Sequence, residues 1–181
     1  MSLALLAGAG AWAQGTATIV VRDAADARDG APDLKRVAAT RLPGASVRVA
    51  ISLAGPLVVR DLLADAQQGG PPGSICVRLW TTGTPRTTKP GLLVCVTAQP
   101  DGRTLRSTIS REVPGALPRT VGTATLERPS ETSLALRIPA GLFGRARRVS
   151  FAAESTLAGC VRLSCVDLAP DDGATRTLRL R

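Results

Sequence analysis

Two groups of aspartates are the residues whose type and spacing best suit chemistry. Asp23, Asp26, Asp29 and Asp33 crowd the stretch RDAADARDGAPD, and Asp167, Asp171 and Asp172 crowd VDLAPDDG near the end of the chain. Carboxylate oxygens are hard donors suited to calcium, which gathers roughly six to eight oxygen ligands in a flexible geometry. The spacing does not follow an EF-hand loop, so a site must be assembled from two distant segments, with Asp23, Asp26, Asp33, Asp167 and Asp171 as its candidate ligands. Aspartate also has a plainer use as a turn former, its side chain accepting from nearby backbone N–H groups.

Most other chemistry is removed by composition. The chain has no histidine, which excludes hydrolases built on a histidine base and haem held by histidine. Met1 is its only methionine. No Walker A loop, GxGxxG or GxSxG occurs. The four cysteines, Cys76, Cys95, Cys160 and Cys165, include no C-x-x-C pair, so zinc is disfavoured. A hydrolase using a carboxylate pair needs only two acids across a cleft, but nothing distinguishes Glu112, Glu127, Glu131 or Glu154 for that role. The reading is non-catalytic.

The elements that must position these residues are strands. Period-two alternation broken by Gly, Pro and Asp recurs through the chain, and amphipathic helical patterns are nearly absent after residue 13. Strands are expected at 16–21, 34–42, 46–53, 74–82, 91–98, 104–112, 122–127, 132–138, 147–154 and 174–180. Alternation is clearest in VRVAISL, where Val47, Val49, Ile51 and Leu53 would face a core and Arg48 and Ser52 the other side. About ten such strands predict an all-β, two-sheet antiparallel sandwich, jelly-roll or immunoglobulin-like. Residues 57–73 read as a short strand or helical turn followed by a loop ending in Gly-Gly-Pro-Pro-Gly.

Cysteine placement fits this plan. Four cysteines permit three connectivities; Cys76 and Cys95 fall on two strands of an expected hairpin and Cys160 and Cys165 can close a small loop, so proximity along the chain favours Cys76–Cys95 with Cys160–Cys165. Disulfides agree with export. The opening MSLALLAGAGAWA has an apolar stretch and a small-x-small end, the form of a signal peptide, although it lacks a basic n-region, which suggests a start codon further upstream. We therefore expect a signal peptide over 1–13, a single domain over 14–181, and a secreted, cell-surface or other extracytoplasmic location.

Of the 181 residues 44% are hydrophobic but only 2% aromatic, so the core must be aliphatic. Trp80 alternates in phase with Cys76, which places it beside a disulfide in the core rather than at a ligand. Net charge is +9, carried almost wholly by arginine. Such a balance suits an anionic polymer or extracellular polysaccharide as partner. No basic block or nucleic-acid motif singles out DNA or RNA, and dispersed arginines also simply keep a surface soluble.

Two segments carry a resemblance. Asp23-x-x-Asp26 followed by Ala31-Pro32-Asp33-Leu34-Lys35-Arg36-Val37 and the strand at 46–53, with Asp167-Leu168-Ala169-Pro170-Asp171 ahead of a final strand, resembles secreted bacterial β-sandwich domains related to family 9 carbohydrate-binding modules and DOMON domains. The resemblance implies a two-sheet sandwich with a sugar-binding, haem-binding or structural role, sometimes with calcium. The chain departs from that pattern in lacking the ring-stacking aromatics of the sugar binders and the His/Met ligands of the haem binders.

Overall fold

The computed structural model describes residues 16–24, 26, 27, 30–64, 70–81, 91–112, 116–160, 165–171 and 173–181. The expected signal peptide, Asp29 and Asp172 lie outside them. Two antiparallel sheets form a sandwich. The smaller contains β1 (Thr18–Arg22), β2 (Leu34–Arg41), β3 (Val47–Leu53), β8 (Thr125–Ser130) and β9 (Ser133–Ile138), in the order β1-β2-β3-β9-β8. The larger contains β4 (Ser74–Trp80), β5 (Leu92–Ala98), β6 (Leu105–Arg111), β7 (Arg119–Gly122), β10 (Arg148–Thr156), β11 (Val166–Ala169) and β12 (Arg176–Arg179). Its order is β11-β10-β4-β5-β6-β7, with β12 also on β10.

Alternation explains the packing. On β3, Val47, Val49, Ile51 and Leu53 are buried and the residues between them only half-buried, as the VRVAISL pattern requires. They meet Ile75, Val77 and Leu79 of β4, Val94 and Val96 of β5 and Val149 and Phe151 of β10 in one aliphatic core. Both disulfides are formed as expected, Cys76 with Cys95 and Cys160 with Cys165. Cys76 and Cys95 stand directly opposite each other in the β4–β5 ladder.

Twelve strands among the described residues replace the expected ten, for two reasons. The single strand expected at 122–127 is two, because the chain leaves the larger sheet after Gly122 and enters the smaller at Thr125. Buried Ser107 pins the crossing: its hydroxyl donates to the Ala124 carbonyl at 2.6 Å and accepts from the Ala124 N–H at 3.0 Å. The segment VDLA, outside every expected strand, is β11. Residues 57–73 give a short 3₁₀ turn at Val59–Leu62, and 65–69 lie outside the described residues.

One edge of the sandwich matters most for function. Strand β10 is long, and its free edge is covered in two pieces: β11 pairs with Ala153–Thr156 and β12 with Arg148–Phe151. Between them the described residues Pro170, Asp171 and Gly173–Thr175 leave the ladder. The turn is closed by the Gly173 N–H donating to the Pro170 carbonyl, with Gly173 at φ 65°, a conformation glycine adopts without strain. Here β11 and β12 lie against β1 and β2 of the other sheet.

Candidate functional site

The seam between the two sheets assembles the acidic residues. Asp23 directly follows β1 and continues its inward phase from buried Val21, while its N–H donates to the Lys35 carbonyl. Asp33 directly precedes β2. Asp167 sits on β11, opposite Ser155 of β10, on the inner face. Asp171 stands in the loop that interrupts the edge strand. Asp23, Asp167 and Asp171 each bring a carboxylate oxygen within 4.8 Å of the others. Oxygens ligating one calcium stand at most about 5 Å apart, twice a calcium–oxygen bond, so this spacing is in the range that a shared ion requires.

Two cross-seam bonds hold the arrangement. The Leu34 N–H donates to Asp167 Oδ2 at 2.6 Å, and the Ser155 hydroxyl donates to the Pro32 carbonyl. Both tie the start of β2 to the β10–β11 edge. Asp167 is 4% exposed and Ser155 fully buried, so these bonds are shielded from water.

The electrostatics are unbalanced. Both carboxylate oxygens of Asp23 and Oδ1 of Asp33 are buried without a hydrogen-bond partner. Burial, with the nearby charges of Asp171, Asp167 and Asp26, pushes Asp23 up to about 7. Burial also raises Asp33, helped by Asp26 and Asp171. Asp167 is raised chiefly by burial, against the Leu34 N–H that favours its ionised form. The ion pairs found among the described residues, Arg48–Glu127, Arg60–Asp61 and Arg78–Glu154, lie elsewhere. Carboxylates this close must share either a proton or a cation.

Of the five aspartates singled out from sequence, three form the tight group. Asp26 and Asp33 stand near enough for their charges to act on it but outside the three-oxygen contact. A cavity of about 210 Å³ adjoins Asp33, walled mainly by apolar residues that include Leu53, Leu57 and Leu62. Sequence reasoning missed the strand carrying Asp167 and the Leu34 N–H that orients it. The first and last strands do not pair, since β12 joins β10, but they lie against each other across the seam.

Trp80 is buried, at 4% exposure, yet outside the inter-sheet core. Ile75, Val77 and Leu79 take the inner face of β4, which turns Cys76, Arg78 and Trp80 to the outer face of the larger sheet. The phase shared with the cysteine was legible, but its direction was not. Phe143 and Phe151 belong to the core, so no aromatic ring among the described residues is exposed for stacking. The glutamates weighed for a carboxylate pair are dispersed: Glu127 pairs with Arg48, Glu154 with Arg78, and Glu131 sits in the β8–β9 turn.

Comparison with family models, curated proteins and solved structures gives no match for this chain.

Proposed function

We propose that the chain is an exported, non-catalytic β-sandwich module that takes up calcium at the seam between its sheets, with Asp23, Asp167 and Asp171 as ligands and Asp33 and Asp26 adding negative field. One observation carries this reading. The two Asp23 oxygens are buried without a donor, against two further carboxylates, in a chain with nine more positive than negative charges. An all-oxygen set favours calcium or magnesium over the transition metals. Calcium is preferred because a seam built from two loops and a strand tolerates irregular coordination, whereas magnesium demands a near-ideal octahedron.

Such an ion would join the first strand of one sheet to the last segment of the other, making it a structural clasp on a binding module. Export is supported by the two disulfides. Among the described residues, no helix is long and apolar enough to cross a membrane. The test is a melting curve in excess calcium and in excess chelator. A ligand at about 100 times its Kd adds about 2.7 kcal/mol, which for a domain of this size raises Tm by roughly 5–10 °C. Coincident melting curves would reduce the aspartates to turn residues.

A further inference from the structure

The outer face of the five-stranded sheet carries two unbalanced charge pairs. Cross-strand register puts Arg22 opposite Arg36 and Arg48 opposite Arg137. Like charges directly opposite on a sheet are destabilising, so stability alone gives no reason to place them there. Arg22, Arg36 and Arg137 are exposed and form no ion pair among the described residues, while Arg48 reaches Glu127 at 3.7 Å.

Their placement makes a trough. Val20, Ala38, Ala50, Ala135 and Glu127 form one row across all five strands. The row on one side runs Arg22, Arg36, Ser52, Ser133, and the row on the other runs Thr18, Thr40, Arg48, Arg137. The three alanines are therefore a low floor about 10 Å long, in a row of about 19 Å that Val20 and Glu127 end, at sheet spacing. One arginine pair stands on one bank near one end, and the other pair on the opposite bank toward the other end. Glu127, at the β8 end, is the only acidic side chain in these rows.

We infer that this face docks an acidic polysaccharide lying along the alanine row, its carboxylate or sulfate groups met by Arg22 and Arg36 on one bank and Arg48 and Arg137 on the other. Guanidinium forks match such anions bidentately. The surface argues for this occupant over others. Single-stranded nucleic acid is held by stacking on aromatic rings, and protein interfaces centre on aromatic anchors, but no exposed ring is present among the described residues. Two other opposed arginine pairs, Arg148 with Arg179 and Arg111 with Arg119, belong to the larger sheet and flank no shared row with each other. The inference goes beyond the calcium reading and stands without it.

The test titrates a fluorescent hyaluronan oligosaccharide, with a carboxylate on every second sugar, into the full chain at low ionic strength, in calcium and in chelator. Arg22→Ser/Arg36→Ser and Arg48→Thr/Arg137→Thr should each lose about tenfold or more in affinity, and the equal-charge control Arg148→Ser/Arg179→Ser less than about threefold. Arg22→Ser/Arg36→Ser should melt no lower than the parent, because it removes a repulsive pair, and Arg48→Thr/Arg137→Thr should melt close to the parent, because the exposed Arg48–Glu127 pair it also removes offsets the relieved repulsion. Equal losses in trough and control variants would overturn the inference, leaving only diffuse attraction. So would tighter binding of a single-stranded oligonucleotide, or equal binding of neutral dextran. Loss of the calcium-dependent Tm shift with intact hyaluronan binding would sink the clasp alone.

Discussion

Two regions of this molecule bury carboxylates, and they treat them oppositely. On the outer face of the larger sheet, Glu154 lies nearly buried and ion-paired with Arg78, and its ladder neighbour Cys76 is covalently joined to Cys95. At the seam, Asp23, Asp167 and Asp171 converge with no ion pair to any described residue. The chain therefore compensates a buried acid internally where the fold calls for it, and arginine is plentiful enough to have done so twice. The contrast shows that no described residue balances the charge of the seam, which is the imbalance the proposed calcium clasp would relieve from outside.

The largest expected effect removes the covalent part of the self-sufficient region. Replacing both residues of the Cys76–Cys95 bridge with alanine should cost about 2–4 kcal/mol, read as a lower denaturation midpoint, while the calcium-dependent shift stays at its parental size. A calcium shift that vanished with this bridge would mean that the two regions are one cooperative unit, and the contrast between them would fail.

A smaller effect tests the ion pair. Arg78→Ala strands Glu154 without its cation; breaking a fully buried pair costs about 3–5 kcal/mol, but the Arg78 side chain is 42% exposed, so about 1–2 kcal/mol is expected. Calcium should raise parent and variant equally and leave this deficit unchanged. A deficit that closes in calcium would show that Glu154, not the seam, is the cation-seeking carboxylate.

How much of this was legible follows from the range of the forces involved. Alternation in VRVAISL is a local pattern that marks the two faces of β3, and both disulfides follow from the nearness of their cysteines along the chain. Strand β11 was not legible because VDLA is four residues long and runs into proline and aspartates, which carry turn signals; its ladder with Ala153–Thr156 makes it a strand. The break between β7 and β8 was hidden because Ser107, some 17 residues away, decides it. Trp80 misled for another reason: both faces of β4 are largely buried, so phase alone did not say which looked inward. The aspartates were visible as two groups, but which three converge depends on β11 pairing and on the Leu34 N–H reaching Asp167.

The effect at Asp23 is the most discriminating, because its sign reverses. Asp23 is raised from its ordinary 3.8 to about 7 by burial and by Asp171 and Asp167. A carboxyl whose pKa is higher folded than unfolded contributes stability that is fully present below the unfolded value and lost as pH rises through the folded one. Asp23→Asn cannot ionise, so in chelator it should melt close to the parent at or below pH 4 and increasingly above it as pH rises to about 7, the gap then holding level. Acids away from the seam, such as Asp101, whose pKa is lowered by hydrogen bonds from Thr104 and Arg103, affect parent and variant alike and cancel in the difference. With calcium present at pH 8 the order must invert, since the parent gains the ion and the variant has lost a ligand oxygen's charge. Parent and variant melting together at every pH, in calcium and in chelator, would show that Asp23 is neither repelled nor bridged, and the seam would then be as self-sufficient as the face around Glu154.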